Sequence, residues 1–576
     1  PRPLRRRQAP RAAYPEESME PRHYAFWPQG VPTNTHLPDT SLYRNLEASA
    51  AAHPDKPALI YYDSPLTYAE FKRQVDALAG YLQQRFGVGR GDRVLLFMQN
   101  SPQFMIGFYA ILRADAVVVP VNPMNLTEEL RHYLADSDAR VAITGQELLA
   151  QLAPLAGNGL DHLVIAAYAD YVTAPTDLRL PEVVSAPRQA IGLRGAVAWA
   201  DALGARLAPR PHLAGAQDLC VMPYTSGTTG RPKGCMHTHS TVMHTVITGA
   251  RWVGMNDSSR VLATLPLFHV TGMQCSMNQP LYCGASIVLM TRWDRDTAAE
   301  LIQRHQVDGW TNISTMAIDF LANPSLGRYD LSSLRHIGGG GAPMPQAVAQ
   351  RLKDLKGLNY VEGYGLSETI APTHINPPSR PKKQCLGIPI CDTDARVIDP
   401  DTLRPLAPGR VGEIVCRGPQ VFLGYWKNPE ASSAAFVDLD EGRYFRTGDL
   451  GYADDEGYFF LVDRLKRMIN VSGFKVWPAE VESILYGHPG IREACVIAAL
   501  DPRQGESVKA LVVPNDAARG SLCPEEVIGW ARERMAAYKV PRLVECVDSL
   551  PKSGTGRVQW RQLQEAERHK LAAGEI

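Results

Sequence analysis

The chain has 576 residues, and its 60 lysines and arginines balance 60 aspartates and glutamates. With 45% hydrophobic residues it can bury a large core, and the lack of a basic surplus argues against a dedicated nucleic-acid or membrane-surface binder. Ten cysteines, none in a C-x-x-C pair, indicate neither a disulfide framework nor a zinc site, and no apolar run nears the roughly 18 residues needed to cross a bilayer.

In chain order, residues 1–30, opening PRPLRRRQAP, read as a basic leader without packed structure. A capping box, Thr67-x-x-Glu70, then starts an amphipathic helix with Phe71, Val75, Leu78, Leu82 and Phe86 at helical spacing. VLLF (Val94–Phe97) reads as a strand, FMIGFYAILRA as a helix and VVVP as a strand buried on both faces. The alternation continues through RHYLADSDARVAIT, which predicts βαβ units. Periodicity fades between about Pro154 and Gln217, a stretch that the pattern does not place. After Asp463 the character changes: EACVIAAL and VKALVV read as strands and PEEVIGWARERMAAY as a helix, enough for a separate unit of roughly 110 residues. The expected fold is α/β, with a large multi-sheet N-terminal domain over 31–463 and a smaller α+β C-terminal domain over 468–576.

The strip YTSGTTGRPKG, Tyr224 to Gly234, cannot build a core. Its glycines let backbone N–H groups approach an anion, although alone it is equally a solvated, turn-rich loop. Its spacing is not G-x-x-x-x-G-K-[ST], so it is not the Walker phosphate loop. As an anion cradle, the backbone of Ser226, Gly227, Thr228, Thr229 and Gly230 and the hydroxyls of Thr225, Ser226, Thr228 and Thr229 would meet phosphate oxygens, with Lys233 adding a point charge.

Further along come PLFHVTG, GGGGAPMP, EGYGLSET, YFRTGDLG, DRLKRMINVSGFKVWPAEVE and PKSGTGRVQW. Together and in this order, these seven motifs resemble the acyl-adenylate-forming enzymes: acyl-CoA synthetases, firefly luciferase and the adenylation domains of peptide synthetases. The resemblance covers nearly everything after residue 40. It implies ATP and Mg²⁺ as cofactors, coenzyme A as co-substrate, and a C-terminal domain that is mobile about a hinge at residues 464–467.

By resemblance, Glu368 and Thr225 hold the magnesium, Thr369 donates to the α-phosphate, and Tyr364 stacks on adenine beside Gly365. Gly340, Gly341, Ala342 and Pro343 form the opposite wall. Asp449 takes the ribose hydroxyls, Arg464 reaches ribose and phosphate, Lys466 is the pivot, and Gly473 lines the pantetheine tunnel. His269 is implied beside the reacting carboxylate; read alone it is a histidine in an apolar run, more often a core residue. PLFHVTG offers no aspartate for an ammonium group, which favours a plain acid over an amino acid. The one departure is Arg557, in the motif's final cation position where the family carries lysine. Arg557 acting more slowly, Lys552 reaching in, or a crippled first half-reaction are the three readings.

The expected protein is a cytoplasmic acid–CoA ligase, most like bacterial fatty-acyl-CoA synthetases, that acts on a medium or long-chain fatty acid. The alternatives are a ligase that loads a carrier protein and a degenerate nucleotide- or acyl-binding relative. No nucleic-acid partner is expected, and peripheral membrane contact and oligomerisation are left open.

Overall fold

A nine-stranded sheet, a seven-stranded sheet and a five-stranded sheet, all formed by residues before 465, lead into a last five-stranded sheet drawn wholly from Ile469–Cys546. The computed structural model describes residues 21–225, 232–341, 344–464, 467, 469–471, 474–501, 505–553 and 558–572. Ser226, Gly227, Thr228, Thr229, Gly230, Ala342, Pro343, Lys466, Gly473 and Arg557 fall outside these residues.

Thr67 caps the helix Tyr68–Arg85, accepting the Glu70 N–H at 3.2 Å. The helix Pro102–Arg113 is buried almost all round. It needs to be, because one hydrophobic core draws on this helix, on Val94 and Val118 of the seven-stranded sheet and on Leu59 and Ile287 of the nine-stranded sheet. Val117–Val121 is a strand buried at every position, paired in parallel with Arg93–Phe97. Among the described residues, no helix is long and apolar enough to cross a membrane.

Two stretches differ from expectation. Within 154–217, the short strands His162–Ala166 and Ala196–Ala198 extend one edge of the seven-stranded sheet in parallel. Strands of five and three residues separated by proline-rich chain carry too few alternations to show a period. Within the stretch to residue 30 that was expected without packed structure, a 3₁₀ turn spans Arg22–Phe26, and Trp27 packs edge-on against Trp252 at 5.0 Å. Aromatic burial against the far-off Trp252 and Tyr458 outweighs the local polar composition.

The strand order sets the site. In the nine-stranded sheet, His336–Gly340 and Tyr360–Leu366 run parallel in register, with Gly340 opposite Gly363. Their carboxyl ends therefore deliver the glycine run and YGLSET to one edge, the place where open α/β sheets bind ligands. In the next sheet, Gly442–Ala453 pairs antiparallel with Phe459–Arg464, with Asp449 directly opposite Arg464.

The last sheet packs a core around Val496, Val508, Ala510 and Val512. Beside it, the buried Lys509 ammonium pairs with Glu567 at 2.7 Å and Glu545 at 2.8 Å. Lys509→Met leaves Glu567, itself 4% exposed, without its cation. It should lower the stability of this part of the molecule by about 3 kcal/mol, read from its urea unfolding midpoint.

Candidate active site

The strip is anchored at both ends. Thr225 pairs antiparallel with Lys233 and Tyr224 with Gly234, so residues 224–225 and 233–234 form the two legs of a narrow stem. The Tyr224 hydroxyl donates to Asp136 at 2.6 Å, and the Pro232 carbonyl accepts from His132 at 2.8 Å, which fixes the stem to the helix Thr127–Ser137.

Beyond the stem, residues 234–236 zip against Phe422–Trp426. Trp426 N–H donates to Gly234 O at 2.8 Å, Leu423 N–H to Met236 O at 3.0 Å and Met236 N–H to Gly424 O at 3.0 Å. Phe422 N–H turns the other way and donates to the Glu368 carbonyl at 2.8 Å. His237 joins the same corner, its Nε2 lying 2.8 Å from Ser367 O. Burial pulls the His237 imidazole down to about 4, so near neutral pH the ring is uncharged and donates Nε2–H to that carbonyl.

At the centre of this corner stands Tyr425, which the sequence did not single out. Its hydroxyl donates to Glu368 Oε1 at 2.8 Å, while the Lys233 ammonium lies 4.9 Å from its ring centroid. The two charges also converge on Cys235: burial pushes that thiol up first, the Glu368 carboxylate pushes it further, and Lys233 opposes both. Lys233 and Glu368, 135 positions apart in the chain, therefore share one corner.

The adenine and ribose residues form the adjoining corner. Tyr364 is nearly buried and donates its hydroxyl to Asp449 Oδ2 at 2.6 Å. Burial, then the Asp449 charge, push this phenol well up, so it stays a donor. Gly365 follows, where a Cβ would stand 2.0 Å from the Ala371 carbonyl. Gly341 takes φ +89°, a left-handed conformation open chiefly to glycine. Thr369 is fully buried and its hydroxyl serves its own turn, accepting from Leu366 N–H at 2.9 Å and lying 2.9 Å from the Ala371 carbonyl. These two bonds close the short turn Ser367–Thr369 that carries Glu368. For Arg464 the structure gives the backbone position opposite Asp449.

His269 caps the short helix Val270–Met273, with its Nδ1 3.4 Å from the Thr271 N–H. The helix continues through a π turn, Gln274–Asn278. An apolar cavity of about 140 Å³ is lined by Thr271 and Cys275 of this segment, by Tyr364, and by every residue from His336 to Gly341. It follows the strand His336–Gly340 from end to end, roughly 13 Å at about 3.3 Å per residue. A second, open cleft of about 760 Å³ lies between the large domain and the last sheet, lined by Asn100, Phe268, Arg292, Trp293, Glu493 and Lys552 among others. Phe268, just before His269 in the chain, lines the cleft, and Thr271, just beyond it, lines the cavity.

Lys552 is engaged within its own domain, its ammonium 2.7 Å from Glu493. It bridges antiparallel to Val558.

The donor set fits a hard, hydrated cation. Glu368 offers carboxylate oxygen, and among the described residues no group of three or more His, Cys, Asp or Glu is arranged to hold a metal. Magnesium keeps several waters and uses one or two carboxylates together with substrate phosphates.

Behind the wall of the adenine corner, the buried Glu362 accepts the Met344 N–H at 2.8 Å and bonds the backbone of Gln384 and Cys385. Tyr360 and Cys385 are the titratable groups beside it. Burial outweighs the three donors and raises its carboxyl from 4.5 to about 7. The folded protein thus holds this proton more tightly than the unfolded chain. Its stabilising contribution is full below about pH 4.5 and is lost as pH rises through about 7. Glu362→Gln, which cannot ionise, should remove that slope: between pH 5 and 8, thermal midpoints of the wild type should fall relative to the variant.

Comparison with known proteins agrees with this architecture. The family model for AMP-binding enzymes matches residues 46–426, and that for the AMP-binding enzyme C-terminal domain matches residues 480–557. A long-chain-fatty-acid–CoA ligase of Bacillus subtilis is 34% identical over 558 residues, 95% of this chain and 98% of that protein. A feruloyl-CoA synthase of an Amycolatopsis species is 35% identical over 512 residues, 88% of this chain and 95% of that one. Among solved structures, an anthranilate–CoA ligase in complex with anthranoyl-AMP superposes with TM-score 0.81 at 27% identity, covering 93% and 99% of the two chains. With its motifs in family order, its nucleotide corner assembled and both family models matched along its length, the chain belongs to the AMP-binding enzymes.

Proposed function

We propose that this protein is an acid–CoA ligase that joins a carboxylic acid to AMP and then to coenzyme A. The observation that carries the reading is the shared corner at Tyr425, where the stem of the glycine-rich strip and Glu368 meet. A carboxylate and a triphosphate repel each other, so adenylation needs cations around the phosphates and a fixed in-line approach. Here Lys233 at the foot of the strip supplies a cation, and the strip's backbone amides would cradle the outer phosphates. Glu368 and Thr225 are the residues that would hold Mg²⁺, which when bound would neutralise charge on the phosphate oxygens. Asp449 would accept from the ribose hydroxyls in place of the Tyr364 phenol, and Arg464 opposite it would face the same sugar.

In the first half-reaction a substrate carboxylate oxygen attacks the α-phosphorus. The bond to the bridging oxygen breaks and pyrophosphate leaves with the electron pair. In the second, the thiol sulfur of CoA attacks the acyl carbon of the mixed anhydride, AMP departs, and the thiol proton passes to solvent. His269, flanked in the chain by Phe268 of the cleft and Thr271 of the cavity, is proposed to orient the acyl group between the two attacks. Lys466 is proposed as the pivot that turns residues 468–576 between half-reactions, and Gly473 as a wall of the thiol's path.

The substrate class is a medium or long-chain fatty acid. A narrow apolar cavity running the length of one strand suits an extended chain. Kinship with a long-chain-fatty-acid–CoA ligase supports the same class. A panel of carboxylic acids assayed for CoA thioester with ATP and Mg²⁺ tests it. Chains of eight or more carbons should give kcat/KM at least about tenfold above acetate. Preference for short or amino acids would overturn the assignment.

Arg557 stands where the family's bridging lysine belongs, and Lys552, paired with Glu493, is engaged elsewhere in this structure. Arg557→Ala should slow ATP-dependent pyrophosphate release by about 100-fold while leaving thioester formation from supplied acyl-AMP within about threefold. Arg557→Lys should equal or exceed the wild type. An alanine variant with unchanged pyrophosphate release removes Arg557 from the mechanism.

A further inference from the structure

Lys233 and Glu368 carry opposite charges in one corner, and opposite charges free to approach attract each other into an ion pair. Such a pair would consume the cation needed by phosphate and the carboxylate needed by the metal. What intervenes here is one side chain. The face of Tyr425 lies under the Lys233 ammonium at 4.9 Å, and its hydroxyl donates to Glu368 Oε1 at 2.8 Å.

We infer that Tyr425 is a positioning residue for adenylation, which partners both charges with one neutral side chain and so keeps Lys233 and Glu368 separate and aimed at the phosphates and the metal. The inference rests on the functional reading above.

The surroundings support it. Tyr425 cannot drift, because its backbone bridges Cys235 while Leu423 and Trp426 bond Met236 and Gly234 on one side and Phe422 bonds Glu368 on the other. Its ring is further braced by Phe422, centroid to centroid 4.8 Å. A ring face attracts an ammonium without neutralising it, and an orienting hydrogen bond fixes the direction of a metal-binding carboxylate. The sequence places this tyrosine in LGYWKNPE, 57 residues beyond Glu368, where nothing local marks it.

Two substitutions separate the two contacts. Tyr425→Phe removes the hydroxyl from Glu368 and leaves the ring under Lys233; Tyr425→Leu removes both. For Tyr425→Phe, the Mg²⁺ concentration giving half-maximal pyrophosphate release should rise about tenfold, with KM for the acid unchanged within about twofold. A readout independent of turnover is Mn²⁺ binding to the enzyme with ATP, followed by electron paramagnetic resonance, which should weaken by the same factor. Calorimetry of ATP without metal should give wild-type affinity for Tyr425→Phe and about fivefold weaker binding for Tyr425→Leu.

Glu368→Gln is the control. If it leaves the metal dependence untouched, the reading of Glu368 itself fails. If it raises the Mg²⁺ requirement and Tyr425→Phe does not, the positioning role of Tyr425 is overturned while the site stands. A uniform loss in Tyr425→Phe with wild-type metal dependence and a lowered melting temperature would make the residue structural only and overturn the inference as well.

Discussion

Two anions must meet in this molecule, and the disposition of charge around that meeting organises the large domain. Lys233 and Glu368 lie in the same corner, but each is partnered through Tyr425 rather than by the other. The tyrosine meets the cation with its ring face and the carboxylate with its hydroxyl, at a site where phosphate and metal would need both charges.

Keeping that corner in shape falls to elements far apart in the chain. The stem Tyr224–Gly234 is held by the helix Thr127–Ser137 through Asp136 and His132, and the segment Phe422–Trp426 is stitched between the stem and Glu368. Parallel strands then aim the glycine run and YGLSET at the same sheet edge, and the hairpin behind Asp449 brings Arg464 opposite it. The apolar cavity runs back from this edge along the strand His336–Gly340, so the polar and apolar halves of the site share a single strand as their common wall.

The sequence conveyed a large part of this. Thr67-x-x-Glu70 predicted a cap that Thr67 makes, and the β-branched run VVVP predicted a strand that is buried at every position. Both signals are short: the cap spans the four residues Thr67 to Glu70, and the buried strand shows as an unbroken β-branched run, even though its backbone bonds the neighbouring strands. The strands within 154–217 and the packed turn at Arg22–Phe26 were not legible, because their stability comes from a neighbouring strand and from Trp252, not from any periodicity of their own. Thr369 shows the same limit: that its hydroxyl bonds within its own turn was not legible in the motif.

By itself, then, the sequence determined the class of the fold, the order of the motifs and the residue types suited to phosphate, metal and ribose. Each follows from short-range rules or from seven recurring strings. Only the tertiary structure decided that Tyr425 stands between Lys233 and Glu368, that Tyr364 bonds Asp449 across 85 residues, and that the apolar cavity follows one strand. Those contacts join segments that no local pattern links. Side-chain chemistry says what each group can bind; which groups meet is set by how the sheets pack around a common core.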